Sequence, residues 1–185
     1  MHNQTSPGLK TIDLVYIGIF AVLIAICSWI SIPTTVPFTL QTFGVFMAVS
    51  ILGGMRGTLA VLVYILLGAV GMPVFAGFTG GAGILLGSTG GYIIGFLFSA
   101  LVMWAIEAAF GKSLPVRILS MLIGLLVCYA LGTVWFKVVY SRANGAVSLM
   151  TVLGWCVFPF IVPDLIKIVL AFLLAPRIRP YLSKA

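Results

Sequence analysis

Charge is scarce in this chain. Of 185 residues, 7% are Asp, Glu, Lys or Arg, and three of these are acidic. A soluble globular domain carries about 25%. That leaves too little polar surface for a soluble globule and no length for a separate soluble domain. Histidine is represented once, by His2 in the polar leader MHNQTSPGLKT, which excludes a histidine-based metal site or catalytic dyad. Cys27, Cys128 and Cys156 all lie in apolar runs without CxxC spacing, and read as small buried hydrophobes. No G-x-x-x-x-G-K-[ST] motif occurs, so the chain holds no P-loop for nucleotide. With no nucleophile–base set and no metal cluster, it reads as a non-enzyme that needs no cofactor.

What remains is hydrophobic. Apolar residues make up 62% of the chain and the mean hydropathy is +1.27, the composition of an integral membrane protein. A net charge of +7 could suggest nucleic acid, but the basic residues are scattered singly between apolar runs, and RIRPYLSK near the C-terminus is their one concentration. Contact with anionic lipid is the simpler account. At about 20 residues per span, six helices fill the length. The expected spans are 12–32, 40–52, 58–70, 91–110, 118–139 and 163–176, with a short helix at 147–158. The second and third are short for a full crossing. The apolar run 14–32 is as long as a span and no small-residue cleavage site follows, so it is read as a retained first helix rather than a signal peptide.

Six spans put both termini on one side. That side receives Lys10, Arg56, Lys112, Arg117, Arg177, Arg179 and Lys184, while Arg142 and Lys137 fall opposite. The positive-inside rule makes the richer side cytoplasmic. The Pro-rich segment 33–40 and the Gly-rich segment 71–91 then face outward. The latter holds eight glycines and no charge, and is expected to be irregular. Such backbone is tolerated at membrane depth when it is buried in protein or lines a cavity.

Against this background Asp164 and Lys167 stand out, in IVPDLIKIVLAFLLAP. A charge in hydrocarbon costs about 2.5–3.5 kcal/mol on insertion scales, and the i, i+3 spacing puts both on one helix face. Pro163 suits a first helical position, which would place Asp164 in the first turn of span 6, at the positive end of the helix dipole. Two readings compete: an internal salt bridge that fixes span 6, or a ligand-facing polar pair. The two uncharged loops at the same depth favour the second. Gln41 and Thr39 in PFTLQTF are either helix-start polar residues or groups that orient a polar, uncharged solute. Gly18, Ala21 and Ala25 on span 1 offer a small-residue groove for another transmembrane helix, with internal packing as the competitor. Glu107 and Arg56 read as snorkelling interfacial charges, and Trp29, Trp104, Trp135 and Trp155 as aromatic belts.

Three segments carry a resemblance: VPFTLQTF (36–43), LGGMRGTLAVLVYILLGAVGMPVFAGFTGGAGILLGSTGGYIIGF (52–96) and FPFIVPDLIK (158–167). In this order and spacing they closely resemble the BioY family, the biotin-specific substrate-binding (S) components of energy-coupling factor (ECF) transporters. The resemblance implies an all-α, six-helix S-component bundle with both termini cytoplasmic. It implies that biotin enters beneath the loop between spans 1 and 2 and beside the loop between spans 3 and 4. Asp164 and Lys167 match the family's binding pair, Thr39 and Gln41 its TLQ, and Tyr92 its GGY. Thr79 and Ser88 join this set from the Gly-rich loop. Ala21 and Ala25, with Gly18, match the helix-1 motif that docks on a transmembrane coupling (T) protein. Ser88 in GSTGG and Pro163 in VPDLIK depart from the commoner Pro and Gly.

The expected function is capture of biotin at the outer face of the cell membrane by a multi-pass subunit that works with a T protein and paired cytoplasmic ATPases. The alternatives are a stand-alone, homo-oligomeric carrier or an S component for another vitamin. Asp164 is expected to accept from a ureido N–H. Lys167 would donate to the ureido oxygen or hold Asp164 ionised, and backbone amides of the glycine loop would meet the carboxylate.

Overall fold

The computed structural model describes residues 9–182; His2 and Lys184 lie outside them. Eight α-helices and one two-stranded hairpin make up the described chain: α1 (Thr11–Trp29), β1 (Ser31–Ile32), β2 (Phe38–Thr39), α2 (Gln41–Leu52), α3 (Gly54–Ala69), α4 (Ala82–Leu86), α5 (Gly90–Phe110), α6 (Leu114–Asn144), α7 (Leu149–Cys156) and α8 (Phe158–Leu182). Four of them, α1, α5, α6 and α8, are long and apolar enough to cross a membrane. The shorter apolar helices α2 and α3 have 12 and 16 residues, fewer than the ~20 of a straight span. The chain is a multi-pass membrane protein.

The breaks follow local chemistry. Pro33 forces Ile32 into extended backbone, so α1 gives way to a hairpin pairing Ser31 with Thr39 and Ile32 with Phe38. Thr34 Oγ1 donates to the Val36 carbonyl at 2.5 Å and closes its turn. A single left-handed residue, Gly53 at φ 84°, separates α2 from α3, a backbone that glycine adopts without a Cβ penalty. The five residues between the expected spans 40–52 and 58–70 therefore shrink to one.

α2 lies at the centre. Ten of its twelve residues are buried, as a helix that is hydrophobic all round should be, and α1, α3, α5 and α8 pack around it. α3 approaches α2 so closely that a Cβ at Gly57 would sit 2.4 Å from the Val49 Cα. α5 and α6 form a long antiparallel pair in which glycine meets aromatic in both directions: Gly91 faces Trp135 and Gly132 faces Tyr92. Small residues allow this approach where lipid supplies no hydrophobic driving force between helices.

Three sequence expectations change. Segment 71–91 is not wholly irregular: it holds a 3-10 turn at Ala76–Phe78, an isolated bridge between Phe75 and Thr79, and α4. α6 runs past the expected end of its span at residue 139, as far as Asn144. α8 starts at Phe158 and ends at Leu182, with Pro163, Pro176 and Pro180 inside it. Proline was expected to bound this helix, but within membrane bundles neighbouring groups re-satisfy the backbone it frees. Asp164 is consequently the seventh residue of α8, beyond the first turn over which the helix dipole acts. Other groups must hold its charge.

Candidate functional site

One face of α8 is buried, and it carries Asp164, Lys167, Ile168, Ala171 and Ala175. Asp164 is 2% exposed and Lys167 4%. Lys167 Nζ donates to Asp164 Oδ1 at 2.7 Å and to the backbone carbonyl of Thr39 at 2.6 Å. It also lies 4.6 Å from the centroid of the Phe38 ring, which in turn stacks on Phe160. Desolvating two ions is expensive, and a buried pair holds only when further hydrogen bonds satisfy it. Those bonds are present: Tyr129 OH donates to Asp164 Oδ2 at 2.5 Å, so both carboxylate oxygens are engaged. Two of the three ammonium hydrogens are engaged as well, leaving one donor.

The hairpin brings the second half of the site. Thr39 Oγ1 accepts from the backbone N–H of Gln41 at 3.2 Å, which sets the start of α2. Gln41 Nε2 donates to Tyr64 OH on α3, fixing the amide. On the α5–α6 side, Tyr92 OH and Thr133 Oγ1 share a hydrogen bond of 3.2 Å.

Between these groups lies a cavity of about 290 Å³. Thr39, Gln41, Lys167 and Tyr129 form its polar end; Ile93, Phe96 and Leu125 give apolar walls; Cys128 and Cys156 also line it. Thr34, Thr35, Thr79 and Thr89 line it too, and the first three are exposed, which marks the mouth. Lys167 is the sole charged residue on the wall among the described residues. Two indoles hold the covering loop from either side: Trp29 donates to the Pro73 carbonyl and Trp135 to the Gly87 carbonyl, both at 2.9 Å.

Thr39, Gln41, Thr79, Tyr92 and Lys167 thus meet at one cavity. Other expectations need correction. Asp164 is not among the residues lining the cavity; it stands behind Lys167 and Tyr129, which are. Ser88 does not line it either, and its neighbour Thr89 does. The N–H groups of Gly71, Gly81, Gly87 and Gly90 are already bonded to loop and helix carbonyls, so these four cannot cradle a carboxylate. Ala21 and Ala25 are 1% and 3% exposed and belong to the inward stripe of α1, leaving no small-residue groove there for a partner helix. Gly18 is half-buried with open space above it. Glu107 is 5% exposed rather than snorkelling. Arg56 pairs at 3.1 Å with Asp13, a buried acid that sequence reading passed over.

Tyr129, Tyr64 and Thr89 were also missed. Tyr129 sits in the middle of an apolar run, and its one signal is that a phenol buried in such a run needs a hydrogen-bond partner.

Comparison with known proteins agrees along the whole chain. The family model described as "BioY family" matches residues 1–184. A biotin transporter BioY of Thermotoga maritima is 44% identical over 90% of this chain and 95% of its own length. A probable biotin transporter BioY of Pyrococcus horikoshii is 39% identical over 92% and 98%. Among solved structures, one described as the S-component for biotin from an ECF-type ABC transporter aligns over 97% of this chain and 95% of its own, with a TM-score of 0.82 and 28% identity. A match of this extent, carried by the same helical framework, makes this chain a member of the BioY family.

Proposed function

We propose that this chain is the substrate-capturing S component for biotin of an ECF-type transporter in the cell membrane. The observation that carries the reading is Lys167, its charge offset by the buried Asp164 behind it, at the polar end of a cavity with apolar walls. Biotin is a neutral ureido ring, an apolar thioether ring and chain, and a terminal carboxylate. The free donor of Lys167 suits the ureido oxygen, and Ile93, Phe96 and Leu125 suit the thioether ring and chain. The threonine-lined mouth leaves the carboxylate near water, where desolvation is least costly. The names of the relatives and of the similar structure support the same ligand.

The wider arrangement belongs to this proposal. Six helices cross the bilayer, α2 and α3 among them, with both termini cytoplasmic and lipid around the apolar faces. The chain binds and releases its ligand without chemical change. Energy comes from a T protein and paired ATPases, and α1 meets the T protein along its exposed face, where Gly18 is the remaining small residue of the expected motif. A carrier working alone as a homo-oligomer would take up biotin in cells lacking a T protein; uptake in such cells is expected to be absent.

The test is equilibrium binding of radiolabelled biotin to purified protein in detergent. Saturable binding, displaced by desthiobiotin and not by thiamine, is expected. Absence of binding, or equal displacement by thiamine, would reject the reading.

A further inference from the structure

A ureido ring presents one acceptor and two N–H donors, so a site built for it needs acceptors as well as the Lys167 ammonium. The obvious acceptor, the Asp164 carboxylate, is set back from the cavity with Oδ1 bonded to Lys167 and Oδ2 to Tyr129. The Thr39 carbonyl already accepts from Lys167, Thr39 Oγ1 already accepts from the Gln41 N–H, and Gln41 Oε1 already accepts from Thr39 Oγ1. Tyr129 is different. Its hydroxyl spends its one proton on Asp164, while its side chain lines the cavity. A phenol whose hydrogen is committed to a carboxylate can act toward a ligand only as an acceptor. The ionised acceptor behind it strengthens it in that role, because hydrogen bonds in series polarise one another.

Resting on the biotin reading above, we infer that Tyr129 is a ligand-contacting residue, accepting a ureido N–H, and that Asp164 acts through it as a positioning residue. Asp164 performs two tasks at once. It orients the Lys167 donor toward the ureido oxygen and the Tyr129 acceptor toward a ureido N–H. The two contacts form a donor–acceptor pair of fixed polarity, so the site selects a ring that carries C=O and N–H side by side. Rings of the same shape without an N–H at that position leave a buried oxygen unpaired, which is where binding sites discriminate most strongly.

The experiment compares wild type with Tyr129→Phe, using biotin and its two ureido N-methyl derivatives. In wild type, one N-methyl derivative is expected to bind at least about tenfold more weakly than biotin, the equivalent of one lost hydrogen bond of about 1.4 kcal/mol. Tyr129→Phe is expected to lose a similar factor for biotin and to bind that derivative almost as wild type does. Equal weakening of biotin and both derivatives would assign Tyr129 a structural role and overturn the inference, as would unchanged biotin binding. If wild type bound no biotin, the functional reading would fall instead. Should Tyr129→Phe not fold, judged by its thermal midpoint, Asp164→Asn carries the same comparison. Its loss must again be larger for biotin than for the N-methyl derivative, and an equal loss rejects the inference.

Discussion

Lys167 on α8 and Thr39 on β2 are 128 residues apart, yet the ammonium donates to the Thr39 carbonyl at 2.6 Å. This bond ties the last helix to the hairpin that follows the first. It makes the lysine a structural pin as well as a cavity group, and the two roles can be separated.

Lys167→Met strands the Asp164 carboxylate in the interior. Breaking one side of a buried pair costs about 3–5 kcal/mol. A large fall in thermal midpoint is expected, together with loss of biotin binding. Adding Asp164→Asn should recover a clear part of the stability and none of the binding. A double variant as unstable as the single one would contradict this account of the pair.

Because the one charged wall residue is already neutralised, the described residues offer no counter-ion for a carboxylate at the cavity mouth. Biotinamide should therefore compete with biotin at an affinity within about tenfold, the loss of roughly one hydrogen bond at threonine. A drop of a thousandfold would mean that the carboxylate sits deep, on Lys167.

Trp29 bonds the Pro73 carbonyl and stacks on Phe78, with centroids 5.0 Å apart. Trp29→Phe removes the hydrogen bond, worth about 0.5–1.5 kcal/mol, and loosens the loop over the cavity. Release of biotin should quicken by about threefold to tenfold, with the association rate little changed. Stopped-flow binding would read both, and an unaltered release rate would detach this loop from ligand retention.

Two glycine substitutions should behave oppositely. A Cβ at Gly57 meets the Val49 Cα and N at 2.4 and 2.7 Å. Those are backbone atoms that cannot rotate away, so Gly57→Ala should cost at least the 1–3 kcal/mol or so of an overpacked core. Gly18 has nothing within 4 Å of its would-be Cβ, and Gly18→Ala should be neutral or stabilising by up to about 1 kcal/mol through helix propensity. Melting curves in detergent distinguish the two, and equal effects would refute the α2–α3 packing.

Much of this molecule was legible from local features. The apolar runs mark the long helices, Pro33 marks the break after the first of them, and Asp164 with Lys167 is an i, i+3 relation within one helix. Prolines misled at α8, because a helix supported by neighbours and by a buried ion pair accommodates what would end an isolated one. The docking face of α1 was misread for a different reason. Val15, Ile19 and Val22 point outward while Ile17, Ala21, Ile24 and Ala25 point inward, and apolar side chains occupy both faces.

The sequence by itself determined the class of structure, the order of its long helices, and the pairing of one acid with one base. Each of these depends on composition or on neighbours within a few residues. Tertiary structure alone decided that Asp164 reaches the cavity through Lys167 and Tyr129, that the Thr39 carbonyl closes on the lysine, and that Ala21 and Ala25 are interior. The physical reason is that lipid and protein core are equally apolar, so hydrophobicity cannot tell a helix which face to turn inward. That choice falls to close packing and to the few buried polar groups that must find one another.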